Sequence, residues 1–395
     1  MKKLGNAVLA LGFFAIIFSI GIVSWLQTDR TFSPFENRSL AQKPEITKET
    51  ISDGTFFKEF ETYTNDQLVG RDMFIKNYTL AQMNINKSIV NDIILTEDQW
   101  LLKNPAWETK YDEIDQSLLE MEKLAKFAKE KNIELYFASP PSKSNILSFK
   151  LPSFITSYGK ENAQYFSERL PENVTQMFVT KEFEKTYKKR ELEDLIFRTD
   201  HHWNMDGAFK AYQYFMNTIE EHSSLYNGKK IEEEDFTRTC ANDKRLIGSF
   251  NNQLYQLVDP SGEKLCYYTS KGGFPFTKVT ATDASGTTYH KLDDIYGFDK
   301  QKSEVTYAGY YTGDYPEIVF ENDNANNDIH ALILKDSFTN AITPHMALPF
   351  KQTSLLDMRH YYEKSVYQYI EDHDINMVIV MYNDSNLSGE AYRFE

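Results

Sequence analysis

"IHALILKDSFTNAITPHMALPFKQTSLLDMRHYYEKSVYQYIEDHDINMVIVMYND" occupies residues 329–384. An apolar run at 331–334, the shorter Leu355-Leu356 after "QTS" and an apolar run at 377–381 each end in a turn, and a helical pattern follows the first two segments. Strand, turn and helix repeated in this way read as a parallel βαβαβ unit. In open α/β sheets, sites form beyond the carboxyl ends of the strands, so the loops beginning at Lys335, Asp357 and Tyr382 are expected to converge on one rim.

Each of those loops carries a polar group suited to chemistry. Ser337 follows the first run and opens the next helix, which sets its hydroxyl near the positive end of a helix dipole. A serine in that place is also a common helix cap, and only a nearby base makes it a nucleophile. Asn383 follows the third run, where an amide can donate to a developing oxyanion or simply serve a turn. In the middle loop Arg359 is suited to an anionic substrate group or to pairing with Asp357.

A base is available upstream in "FRTDHHWNMDGAFKAY", residues 197–212. A serine needs an imidazole to take its proton, and the imidazole needs a carboxylate to fix its tautomer. Asp200 and His202 stand two apart in a loop, where a local turn brings aspartate to ring, and His201 is expected to point away. The bland alternative is a pair of structural histidines in a tight loop.

Elsewhere, strands and helices alternate. "GTFFKEFETYTNDQLVGRDMFIKNYTLAQMNINKSI" reads as two helices broken near Gly70, with Phe56, Phe60, Tyr63, Leu68, Phe74 and Ile75 as core contacts. "IDQSLLEMEKLAKFAKEKN" is an amphipathic helix, "IELYFASPP" a strand, "DLIFRTD" another strand, and a helix capped by Asn204 comes after it. Residues of about 229–327 break the rhythm with β- and turn-rich pieces, read as a β-rich insertion, a hairpin or a lobe. Cys240 and Cys266 lie within it, as a disulfide or as two buried thiols, and lack the spacing of a zinc site.

The chain has 395 residues, 41% of them hydrophobic, and a net charge of −15, which suits a folded acidic protein and speaks against nucleic acid as a partner. Its first residues differ from the rest. Lys2 and Lys3 lead into an apolar run with no charge until Asp29 and with Trp25 at its end, long enough to span a bilayer and without a small-residue cleavage site. Residues 1–27 therefore read as a signal anchor or transmembrane helix that leaves the remainder outside the cell membrane. Residues 28–51, punctuated by Pro34 and Pro44, read as an extended tether, and residues 52–395 as the catalytic domain.

Together with the downstream "LILKDSF", the "TDHHW" string before a Gly-Ala helix resembles the DHHW protein family, relatives of the alginate O-acetylation proteins and of the SGNH hydrolase superfamily. "FENRSLAQKP", "GTFFKEFETYTNDQLVGRD" and "PPSKSNIL" are similar to that group's opening segments. The resemblance implies an SGNH-like parallel sheet flanked by helices, with Ser337 as nucleophile, His202 as base and Asp200 as its orienter. Asn383 is implied as one oxyanion donor. Lys335 stands where the superfamily has glycine, and the middle loop has no glycine, which leaves the N–H of Met358 or the Arg359 side chain as the second donor.

The expected function is that of an extracytoplasmic O-acyltransferase or esterase acting on acetyl groups of a cell-surface polysaccharide, without metal or other cofactor. Its acyl donor implies a membrane-bound acyl-transfer protein as partner. Two other classes stand beside it. One is a non-catalytic polysaccharide-binding or assembly factor, and the other, less favoured, a metal-dependent hydrolase using Asp200, His201 and His202.

Overall fold

The computed structural model describes residues 2–395 apart from Asn37, Asn104 and Lys229, and no side chains before Gly5. The charges of Lys2 and Lys3, and the expected start of the β-rich stretch at Lys229, lie outside the described residues. The chain divides into two units, Met1–Asn91 with Asn251–Leu257, and Asp92–Phe250 with Val258–Glu395.

Three helices dominate the first unit: α1 (Lys2–Leu26), α2 (Thr55–Asp66) and α3 (Arg71–Asn84). The apolar window of α1, Gly5–Leu26, has a mean hydropathy of 2.5 and no buried part. Gly70 adopts φ 72°, a left-handed conformation that costs a residue without Cβ little, and so α2 and α3 form the expected broken pair. Asp66 is the hub of this unit. Its buried carboxylate accepts from Arg38 at 2.6 and 2.8 Å and from the Ala41 N–H at 2.9 Å, with Arg71 at 3.8 Å. The polar segment read as a tether is thereby fastened to α2. Of the expected core residues here only Tyr63 is buried, and Phe74 is 47% exposed.

In the second unit α4 (Tyr111–Lys131) leads to β1 (Glu134–Ser139), α5 (Gly159–Arg169) to β2 (Val174–Phe178), and α6 (Met205–His222) comes after the histidine loop. Next come β3 (Phe236–Ala241), β4 (Leu265–Ser270), β5 (Lys278–Thr282), β6 (Thr288–Tyr289) and β7 (Glu317–Glu321). The βαβαβ unit closes the series as β8 (His330–Lys335), β9 (Gln352–Leu356), α7 (Val366–Asp372) and β10 (Met377–Met381).

One eight-stranded sheet runs in the order β6-β5-β7-β9-β8-β10-β1-β2. The five strands from β9 to β2 are parallel, and β7, β5 and β6 extend the β9 edge antiparallel. Leu135, Phe137, Leu332, Leu334, Val378 and Val380, alternate residues of three strands, share one apolar cluster with Met121 and Leu124 of α4, Phe166 of α5 and Tyr369 of α7. Residues of the opposite parity, Tyr136, Ile333 and Ile379, are also buried, which explains why these strands read as unbroken apolar runs.

Two expectations are corrected. The β-rich stretch is not a separate lobe throughout: β5, β6 and β7 complete the main sheet, whereas β3 and β4 pair with each other. Cys240 and Cys266 stand opposite one another on β3 and β4 and form a disulfide. "DLIFRTD" is no strand. It makes one bridge, Ile196 to Trp203, because the Asp200 carboxylate takes the His202 N–H and the Asn204 side chain caps α6, local bonds that compete with a ladder. Gly207, in the first turn of α6, is needed there, since a Cβ would lie 2.3 Å from the Leu195 carbonyl oxygen.

Candidate active site

Register sets three loops side by side. Leu334 of β8 pairs with Leu356 of β9 and with Val380 of β10, so Ser337, Arg359 and Asn383 each stand three residues beyond one paired row. Ser337 opens a 3₁₀ turn, Ser337–Ile342, that passes into the short helix Thr343–Ala347. The single helix expected there is thus two short pieces, and little macrodipole supports the serine.

The histidine loop meets this rim from 135 residues away. His202 Nε2 lies 2.8 Å from Ser337 Oγ, and His202 Nδ1 lies 2.7 Å from Asp200 Oδ1. Asp200 also accepts from the N–H of His202 at 3.0 Å and, through Oδ2, from the N–H of Ser249 at 2.7 Å. Burial pushes the Asp200 carboxyl up, but the His202 ring, His201 and the Ser249 N–H together hold it well below the usual carboxylate range. It is an anion at neutral pH. Ser337 remains partly exposed, within reach of a substrate.

His201 does not turn away as expected. Its Nδ1 lies 2.6 Å from Ser249 Oγ, but its ring faces His202 with 3.6 Å between centroids. Burial first and His202 second push it down to about 3, so it is neutral at neutral pH. Asp200, His201 and His202 offer metal-ligand atoms within 4.8 Å of one another. These atoms serve one another, Ser337 and Ser249 already, and a three-residue set with its donors so committed does not fit an ion.

Asp336 organises the Ser337 loop. It is buried and accepts from the N–H of Phe338 at 3.0 Å, the N–H of Asn383 at 2.8 Å and Asn383 Nδ2 at 2.7 Å. The Asn383 amide is therefore half committed, with one N–H left for an oxyanion, and its oxygen accepts from Ser385. Met358 has its side chain in the core, so only its main-chain N–H is available to the rim. Arg359 is held by Asp357, with contacts of 2.5 and 2.8 Å, and approaches Asp314 at 3.8 Å. Lys335 fills the glycine position as a buried cation, 2.8 Å from Asn340 Oδ1 and 3.6 Å from both Asp314 and Asp357.

Several residues that sequence reasoning passed over brace the relay. Trp203, the last letter of "DHHW", donates its indole N–H to the carbonyl of Phe338 at 3.0 Å, tying the histidine loop to the residue after Ser337. Tyr307 stacks on the His202 ring at 3.8 Å and donates to the same carbonyl. Behind Asp200, the buried ammonium of Lys143 donates to the carbonyls of Arg198 at 2.7 Å and Asp200 at 2.8 Å, while Glu263 takes the N–H and hydroxyl of Thr199. Burial lowers Lys143 to about 7, with Glu263 and Asp200 pulling the other way. "PPSKSNIL" carried a signal for Lys143. The loop holding it is fixed by buried Asp384, which accepts from the Ser142 N–H at 2.7 Å and Asn145 Nδ2 at 3.0 Å. Nothing in the sequence marks Tyr307.

A family profile, the SGNH hydrolase-like domain of acetyltransferase AlgX, matches residues 93–289. Among solved structures, Bacillus cereus PatB1 is 59% identical, with a TM-score of 0.74 over 77% of this chain and 99% of PatB1. PatB1 with a sulfonyl adduct matches at 56% identity and a TM-score of 0.73 over 78% of this chain and 99% of that one. A DHHW family protein from Eubacterium siraeum, 16% identical, shares the fold, with a TM-score of 0.55 over 77% of this chain and 94% of its own. No curated protein matches. Its sheet, the profile match and its identity to PatB1 over nearly all of PatB1's length make this chain a member of the SGNH hydrolase-like family of AlgX-type O-acetyltransferases.

Proposed function

We propose that the protein is an O-acetyltransferase of a cell-surface polysaccharide, held outside the cell membrane by residues 1–27 as a signal anchor, with Ser337, His202 and Asp200 as its catalytic triad. The single observation that carries this reading is the unbroken relay from Asp200 through His202 to Ser337, at 2.7 and 2.8 Å. The sulfonyl adduct in the PatB1 structure supports it, because such an adduct is what remains when a nucleophile displaces the leaving group of a sulfonyl electrophile.

Ser337 Oγ attacks the carbonyl carbon of an acetyl donor as His202 Nε2 takes its proton, and Asp200 stabilises the imidazolium. The oxyanion falls to the free N–H of the Asn383 amide, the Met358 N–H and, as a cation at the rim, Arg359. Collapse breaks the bond to the donor's leaving group, which leaves with the proton from His202. A sugar hydroxyl then gives its proton to His202 and attacks acetyl-Ser337, forming the new ester and restoring the serine. Donors on the outer side imply a membrane-bound partner that passes acetyl groups across.

The test is turnover of an activated acetyl ester by the full-length protein, with and without an oligosaccharide acceptor. Ser337→Ala and His202→Ala should each lower kcat by roughly 10⁴-fold or more, and the double variant should be scarcely worse than either, because triad members act as a unit. Full turnover by Ser337→Ala, or no acetyl-Ser337 adduct in wild type, would overturn the assignment.

A further inference from the structure

The last turn of α1 is not free. Ser24 Oγ accepts the Val69 N–H at 2.9 Å, and Gln27 Nε2 donates to the Gln67 carbonyl. The Gln67 side chain in turn binds the N–H and carbonyl of Arg30, both at 2.9 Å, and Arg30 pairs with Asp72 at 2.7 Å. Ser24 lies inside the apolar window Gly5–Leu26, about 3 Å along the helix axis from its end. If α1 spans a bilayer, Val69 stands at the edge of the hydrocarbon.

The depth of Val69 bounds the depth of its neighbours. Hydrocarbon of about 30 Å within a bilayer of about 40–45 Å leaves an interfacial layer of roughly 5–7 Å on each side. One Cα step of about 3.8 Å leads from Val69 to Gly70, whose carbonyl accepts the Phe74 N–H in the first turn of α3, and that turn adds about 5–6 Å, so Met73 and Phe74 stand within about 10 Å of Val69 whatever the tilt of α3, a distance spanned by the interfacial layer and one side-chain length. Both are exposed, Met73 by 57% and Phe74 by 47%, as is Trp25 by 61%. The carboxylates at this corner are compensated, Asp66 by Arg38 and Arg71, Asp72 by Arg30. The Lys43 ammonium sits 4.8 Å from the Trp25 ring centre, an amphipathic pair suited to headgroups.

We infer that the corner at residues 68–74, with Trp25, is a second membrane contact, in which Met73 and Phe74 insert among phospholipid headgroups and upper acyl chains. This rests on the signal-anchor reading. The contact sets the orientation of the N-terminal unit on the bilayer, which a spanning helix on a loose linker would leave undetermined.

The test uses full-length protein in phosphatidylcholine–phosphatidylglycerol vesicles, nitroxide-labelled singly at Met73→Cys or Phe74→Cys, with Phe14→Cys in mid-span and Tyr362→Cys, 73% exposed in the second unit, as references. Collisions with lipid-soluble oxygen and with an aqueous nickel chelate read label depth. Labels at 73 and 74 should show several-fold less chelate and more oxygen than position 362, at a depth short of position 14. Equal chelate access at 74 and 362, with position 14 deep, overturns this contact alone. Loss of both relaxants at 73 and 74 means a protein neighbour and overturns the lipid assignment. Chelate access at position 14 overturns the anchor reading and the contact with it.

Discussion

Trp203 shows how much of a catalytic site is bracing. Its indole is fully buried and serves both the Phe338 carbonyl and the Tyr307 hydroxyl. Trp203→Phe leaves the Phe338 carbonyl to Tyr307 alone and opens a partial cavity, at an expected cost of about 1–3 kcal/mol in stability. Since the nucleophile loop shifts against its base, kcat should fall roughly 10- to 100-fold with KM little changed, a split that steady-state kinetics and thermal unfolding read together. Lys143→Met tests the clamp behind Asp200. It leaves the carbonyls of Arg198 and Asp200 without their buried donor, so stability should drop by about 1–3 kcal/mol. Adding Glu263→Gln should restore neither stability nor kcat, because the Arg198 and Asp200 carbonyls still lack their donor. That Asp200, His202 and Ser337 would meet was legible in the sequence, because strand ends and local spacing announce their positions, while their roles belong to the proposed function. Tyr307 and Glu263 were not, since each acts through a contact whose partner is remote in the chain and carries no local pattern. His201 was misjudged because its orientation depends on Ser249, forty-eight residues on.

Among the elements, the strands buried on both faces were the most readable and the antiparallel extension the least. β10 is an unbroken apolar run and β8 holds one in Ala331–Leu334, β9 has only Leu355 and Leu356 after three polar residues, and β5 and β7 alternate buried with less buried positions in a way that suits a lobe and a sheet edge equally. The segment read as a tether likewise lacks apolar periodicity, and its order comes from charge. Asp66 is lowered to about 2, first by its hydrogen bond from Arg38 and against the opposing effect of burial. Its folded pKa lies below the ordinary 3.8, so its stabilisation is complete above that value and is lost as pH falls through about 2. With Arg38 partly exposed, the loss is discounted to roughly 1–2 kcal/mol. Amide hydrogen exchange should therefore show the Ala41 N–H, bonded to Asp66, losing protection between about pH 4 and pH 2. In Asp66→Asn that dependence should vanish, with protection low throughout.

At the scale of the molecule, the anchor proposed for α1 would join an envelope address to the enzyme. The full chain should stay with membranes through alkaline carbonate extraction, because its apolar window of 22 residues carries no charge. Recovery of a form processed near residue 27 from the medium would contradict that. The sheet order adds something of another kind. β10 lies between β8 and β1, and β2 pairs only with β1, so the two parts of the sheet meet only through the strand that is synthesised last. A chain crossing a membrane amino end first would hold β1 and β2 outside with a bare edge, open to proteases and to mispairing, until residues 377–381 emerge. The same late strand brings Asn383 to Asp336 and so settles the serine loop. On the proposed reading, export would carry its own checkpoint: a chain stalled part-way through translocation would be silent, and acyl transfer would begin only once residues 377–383 are outside.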